Sequence, residues 1–337
     1  MKVSEIGQFG LIDLIDKLIA EARDDRVESW KNLVAGIGDD CAVWHSEPAD
    51  QLAKVDCQVQ GVHFTLETLS WEDLGWKSLA VNLSDIAAMG GIPRYALVSL
   101  GLPPDTEVEN VLSFYQGLIL LSKITGTAVV GGNVSGSPNI FVDVNVLGRV
   151  GNTEGKYLSR SAARPRDQIA VTGWLGTAAA GLKMLSEKRE FNPGIAACLK
   201  QAFSRPEPRL TEGRLLVEKG VKAGMDISDG LLADLGHMCR ASHVSAVVRL
   251  SQLPIRPEVS SVFQDQSQEM ALSGGEDYQL LFTAPANVIE KVRQAAAYPV
   301  TVIGEITAPW AETIALMDSQ GLRSLPEVRG WDHFKHK

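Results

Sequence analysis

Apolar stretches of this chain break repeatedly at glycine set beside an acidic residue. GIGDD at 36–40, DISDG at 226–230 and SGGED at 273–277 are the clearest cases. Around them the sequence alternates between extended, β-branched runs and stretches with apolar residues at helical spacing. That alternation limits the chain to folds in which sheets are covered by helices, an α/β or α+β class.

The individual segments bear this out. Leu11, Leu14, Ile15, Leu18 and Ile19 share one helical face, so residues 11–22 are expected to form an amphipathic helix. LAKVDCQVQGVHF reads as extended and breaks at Gly61. WEDLGWKSLAVNLSDIAAMGG reads as a helix from near Ser70 to Gly90-Gly91, with Pro93 beyond. On that helix Ser78, Asn82 and Asp85 form a polar stripe that either faces water or lines a site. RYALVSLGLP is a strand and residues 107–125 a helix. TAVVGGN is a short buried strand ending in a glycine turn, and NIFVDVNVLGRV is another strand. The polar, turn-rich NTEGKYLSRSAARPRD marks a domain boundary near residue 150, giving domains 1–150 and 151–337. A length of 337 residues suits two such domains. In the second, residues 168–185 and 221–239 each read strand, turn, helix. ALSGGEDYQLLFTAP and YPVTVIGEI each supply a further strand.

Several classes of function are disfavoured. A formal net charge of −9 argues against a broad nucleic-acid or anionic-membrane footprint. Cys41, Cys57, Cys198 and Cys239 are scattered, with no Cys-x-x-Cys pair and no zinc spacing, as expected of reduced thiols in a cytoplasmic protein. LIDLIDKLIA carries Asp13 and Asp16 where a signal peptide needs an apolar core. No run of about 18 apolar residues is present, so no membrane span is expected. The Walker A loop, the Gly-x-Ser-x-Gly elbow and the kinase His-Arg-Asp loop are all missing. GWLGTAAAG after a strand is either a phosphate loop or plain helix packing. His63, His237 and His243 show no common metal role. Trp331, in GWDHF, either docks on the core or stacks on a flat heterocycle.

What remains is carboxylates. Asp39, Asp40, Asp56, Asp85, Asp226, Asp229, Glu276 and Asp277 recur at strand ends and glycine turns. Each alone is an ordinary cap or turn residue. Converging in one cleft, they would repel one another unless cations were present. Hard oxygen ligands of this kind suit Mg²⁺ working with phosphate co-ligands.

The ordered motifs GIGDD, VDCQVQGVHF, AVNLSDIAAMG, VVGGN, LSRSAARPRD, DISDGLLADL, SGGEDYQLLF and GWDHF resemble the thiamine-monophosphate kinase family over nearly the whole chain. The wider superfamily of aminoimidazole ribonucleotide synthetase and selenophosphate synthetase shares the acidic motifs, but not SGGEDY with GWDHF. The resemblance implies two domains of aminoimidazole ribonucleotide synthetase-like fold. The N-terminal α/β domain would bind ATP and Mg²⁺ and dimerise through its sheet into a barrel. A C-terminal α/β domain would follow, with ATP in the cleft between the two. The implied reaction is direct, Mg²⁺-assisted transfer of the ATP γ-phosphoryl group onto thiamine monophosphate, with no catalytic side-chain base. By matching positions, Asp40, Asp56, Asp85, Asn133, Asp226 and Asp229 are implied at the metals. Gly132, Asn133, Arg160 and Ser228 are implied at ATP, and His63, Glu276 and Trp331 at thiamine monophosphate. Asp39 belongs to the same motif as Asp40. The implied partners are the two substrates and a second copy of the chain, with no nucleic acid and no membrane.

Two departures from the family pattern stand out. Asn133 follows Gly131-Gly132 where an aspartate is usual, and Lys54-Val55 precede Asp56 where two oxygen-bearing residues are usual. Two readings follow. Lys54 replaces part of the metal charge in a working kinase, or the chain is a relative that binds nucleotide or thiamine phosphates and transfers poorly or to another acceptor.

Overall fold

The computed structural model describes residues 1–38, 41–151 and 154–326. Its chain packs as two units, Met1–Ile86 with Ile92–Thr153, and Ala87–Gly91 with Glu154–Lys337.

In the first unit α1 (Val3–Ala22) starts earlier than its apolar stripe, with a kink at Gly7, and buries Leu11, Ile15 and Ile19. A short α2 (Glu28–Asn32) leads into the two-stranded pair β1 (Leu33–Ala35) and β2 (Val43–Trp44). Then come β3 (Gln51–Val59), α3 (Trp71–Ala88), β4 (Gly91–Leu102), α4 (Val108–Thr125), β5 (Ala128–Gly136) and β6 (Phe141–Val150). Helix α4 buries Val111, Phe114, Tyr115, Leu118 and Leu121 along one stripe and ends at Gly126 in the left-handed region. The strands form one sheet in the order β3-β6-β4-β5, so β3 and β5 are its edges. On β6, Val142, Val144, Val146 and Val150 are buried while Asp143, Asn145, Leu147 and Arg149 are half-buried. One face therefore carries the core and the other is open within the chain.

One expectation is corrected here. TAVVGGN does not turn at its glycines. Strand β5 runs through them to Gly136, parallel to β4, with Gly132 opposite Val98 and Asn133 opposite Ser99. A Cβ on Gly132 would sit 1.9 Å from the Val98 carbonyl oxygen. The glycine admits a close neighbour instead of bending the chain.

The second unit runs β7 (Gln168–Thr172), α5 (Thr177–Ser186), α6 (Pro193–Ser204), α7 (Leu210–Glu218), β8 (Ala223–Asp226), α8 (Leu231–Ser242), β9 (Ser245–Arg249), α9 (Pro257–Phe263), α10 (Gln266–Ser273), β10 (Leu280–Ala284), α11 (Ala286–Ala295), β11 (Val300–Thr307), β12 (Ile314–Met317) and β13 (Arg323–Ser324). Its seven-stranded sheet has the order β13-β12-β9-β11-β7-β10-β8. Both faces are covered. On β7, Ile169 and Val171 enter one core and Ala170 the other; on β10, Leu281 enters the first and Leu280 and Phe282 the second. Burial on both faces explains why these strands read as unbroken apolar runs. Among the described residues no helix is long and apolar enough to cross a membrane. All four cysteines are unpaired.

Candidate functional site

In the first unit the polar stripe of α3 turns inward. Ser78 and Asn82 are buried and donate to the carbonyls of Leu74 and Ser78, one turn back. Asp85, near the end of the same helix, is partly open and meets strand β3. Residues two apart on a strand share a face, so Lys54 and Asp56 project together. The Lys54 ammonium lies 3.2 Å from Asp56 Oδ2 and 3.0 Å from Asp85 Oδ2. Burial works against its charge, but Asp85 and then Asp56 outweigh this, and its pKa is raised overall.

The other residues implied in this unit lie elsewhere on or beside its sheet. Asp56 is on edge strand β3, and Gly132 and Asn133 are on the opposite edge, β5. His63 sits in the turn after β3, and its Nδ1 accepts the Val59 backbone N–H at 3.0 Å. That bond keeps the neutral imidazole's proton on Nε2. Asp39, Asp40 and Trp331 lie outside the described residues.

In the second unit two loops are laced together. The Glu276 N–H donates to the Ser228 carbonyl at 2.8 Å, and the Tyr278 N–H to the Ile227 carbonyl at 2.9 Å. The Ile227 N–H donates back to the Gln279 carbonyl at 2.8 Å. The loops touch closely enough to exclude side chains at their glycines: a Cβ on Gly275 would lie 2.5 Å from the Ser228 oxygen. Glu276 (φ 69°) and Tyr278 (φ 48°) are held in the left-handed region, which costs non-glycine residues about 1 kcal/mol or more each. Asp226, Ser228, Asp229 and Glu276 are thereby gathered on adjacent backbone. The Arg160 carbonyl accepts from Ser242 Oγ at the end of α8. Burial first, then the Arg240 and Arg160 cations, lower the pKa of His237 on that helix, while Asp229 opposes them.

Sequence reading missed Asp234 as part of this group. It lies in the first turn of α8, and its Oδ2 accepts the backbone N–H groups of Ser228 and Asp229, both at 3.1 Å. Burial, then the Asp226 and Asp229 carboxylates, push its carboxyl up to about 8. The spacing of DISDGLLAD, with an acid four residues past the glycine, was the available signal.

GWLGTAAAG also finds its explanation here. Asp277 Oδ2 accepts the Gly176 N–H at 2.6 Å and Oδ1 the Ala178 N–H at 3.2 Å. The N-terminus of α5 is capped by a carboxylate of this chain, which is where a phosphate would otherwise sit. Burial drives Asp277 up to about 7, only partly opposed by the N–H groups of Gly176, Ala178 and Thr177.

Among the described residues no group of three or more acidic, histidine or cysteine side chains is gathered closely enough to hold a metal ion by itself. Asp226 and Asp229 are hard oxygen donors near enough to Asp234 to raise its proton affinity. A bound cation would relieve that repulsion. In the first unit the Asp56–Asp85 pair already holds an ammonium.

Comparison with known proteins identifies a domain family for each part of the chain. Residues 38–150 match the family model of the AIR synthase related protein N-terminal domain, and residues 167–316 that of its C-terminal domain. The thiamine-monophosphate kinase of Bacillus subtilis (strain 168) is 38% identical over 309 residues, covering 89% of this chain and 93% of that protein. The crystal structure of thiamine-monophosphate kinase from Stenotrophomonas maltophilia K279a superposes with a TM-score of 0.79 at 34% identity, covering 91% of this chain and 95% of that one. A structure described as AaThiL complexed with AMPPCP and TMP gives a TM-score of 0.75 at 34% identity, covering 99% of each chain. The chain belongs to the AIR synthase related proteins and, among them, to the thiamine-monophosphate kinase family.

Proposed function

We propose that this protein transfers the γ-phosphoryl group of ATP to thiamine monophosphate, forming thiamine diphosphate. The observation that carries this reading is the full-length likeness to the complex with AMPPCP, an ATP analogue, and TMP. The side chains supply a consistent chemistry. The attacking group is itself a phosphate, largely ionised at neutral pH, so no strong base is needed. What the reaction needs is two anions held in line and their repulsion offset.

Asp226, Asp229 and Asp40 are residues that would hold Mg²⁺, with Asp56 and Asp85 sharing in that role beside the Lys54 ammonium and Asn133 a weaker, uncharged donor. A cation held by these residues would supply the positive charge that offsets the phosphate oxygens. Asp234 fixes the Ser228–Asp229 backbone. Arg160 and Ser228 would meet the nucleotide phosphates alongside Gly132. His63, Glu276 and Trp331 would hold thiamine monophosphate, with Glu276 carried on left-handed backbone.

A homodimer belongs to this reading. Asp56 and Asn133 lie on opposite edges of the first unit's sheet, three strand spacings or roughly 14 Å apart. That is too far to share one ion within a chain. A second copy that closes the sheet into a barrel would bring the β5 edge of one chain beside the β3 edge of the other. Free thiols at all four cysteines suit the reducing cytoplasm.

The test is direct. Purified protein with ATP, MgCl₂ and thiamine monophosphate is expected to yield one thiamine diphosphate per ATP consumed, and none after chelation. No product, with both substrates still bound, would leave only a binding protein or a kinase for another acceptor.

A further inference from the structure

One ammonium is placed between two carboxylates that the reading above assigns to Mg²⁺. Lys54 and Asp56 share a face of β3, and Asp85 approaches from α3. The Nζ atom is 3.2 Å from one carboxylate and 3.0 Å from the other. All three side chains are partly shielded, with relative exposures of 31%, 44% and 23% for Lys54, Asp56 and Asp85.

We propose that Lys54 is a resident cation that takes the place of one divalent ion between Asp56 and Asp85, so that each chain binds one metal fewer than its carboxylates would otherwise support. This rests on the kinase reading. The physical case is one of space and charge. Mg²⁺ needs its oxygens at about 2.0–2.1 Å in near-octahedral array and gives up water reluctantly. The ammonium is within ion-pair distance of both Asp56 and Asp85, so an ion bridging those two oxygens would compete with it for them. A divalent ion beside it would meet twice the repulsion that a monovalent one meets.

The ammonium also comes without a concentration requirement, because it is tethered two residues from Asp56. An ammonium has three donors. Two suffice for the carboxylates, and the third can meet a phosphate oxygen of bound nucleotide. Lys54 is thus a positioning residue for Asp56 and Asp85 and a counter-charge for the nucleotide.

The experiment counts metals. Mn²⁺ is titrated into the full-length protein with AMPPCP present, and bound ion is quantified by electron paramagnetic resonance. Lys54→Met is expected to bind one more Mn²⁺ per chain than the unmodified protein, and Lys54→Arg the same number. The added ion should disappear in Lys54→Met/Asp56→Asn. Lys54→Gln is the second neutral variant, used if circular dichroism shows Lys54→Met misfolded. An equal, nonzero count in the unmodified protein and the neutral variant overturns the role of Lys54 while leaving the kinase intact. Absence of Mn²⁺ binding in both, with no thiamine diphosphate formed, overturns the kinase reading and this inference together.

Discussion

Asp277 shows what a single residue does when its surroundings disagree. Three backbone N–H groups and a helix N-terminus favour its charge, but burial outweighs them and sets its carboxyl at about 7. In the unfolded chain the same group titrates near 3.8. Between those values the folded chain keeps a proton that the unfolded chain loses. Stability therefore falls as pH rises from about 4 to about 7. We expect the unmodified protein to lose about 2–4 kcal/mol more than Asp277→Asn across that window, read from urea midpoints at several pH values. Parallel curves for the two proteins would mean that Asp277 is ionised throughout. Asp277 was visible in the sequence as an acid after Gly-Gly. That it caps α5, 100 residues away in the chain, was not, because a cap between distant segments leaves no periodic trace.

At the scale of elements, the unit that matters is the pair of laced loops. DISDG and SGGEDYQ are hydrogen-bonded to each other. Each supplies the carbonyls that satisfy the other's N–H groups. Gly275→Ala would drive a Cβ to 2.5 Å from the Ser228 oxygen. The loops would have to part, and we expect about 1–3 kcal/mol of destabilisation. The KM for thiamine monophosphate should rise at least about tenfold, because Glu276 moves with the loop. A variant with unchanged midpoint and kinetics would show that the loops tolerate separation. Element types and most helix ends were readable from apolar spacing, as for α3 and α4. The GGN segment was misread as a turn because a glycine that admits a neighbouring strand looks, in sequence, like one that bends the chain.

For the whole molecule, the open face of the first unit's sheet gives the main prediction. Val55 is 52% exposed on β3, opposite Asn145, with the half-buried side of β6 beside it. If that face lines a barrel made by two copies, Val55→Asp buries a charge at the interface. Sedimentation velocity should show the dimer dissociating at protein concentrations at least about tenfold higher than for the unmodified chain. An unaltered dimer would place the interface elsewhere. The sequence by itself determined the class of fold, the family and the acidic motifs, because those are matters of local period, composition and residue order. Only the tertiary structure decided that Lys54 lies between Asp56 and Asp85, that Asp234 and Asp277 hold the second unit's loops, and that Asp56 and Asn133 are on opposite edges. Those facts depend on which distant segments meet, and pairing between segments is set by the packing of the whole chain.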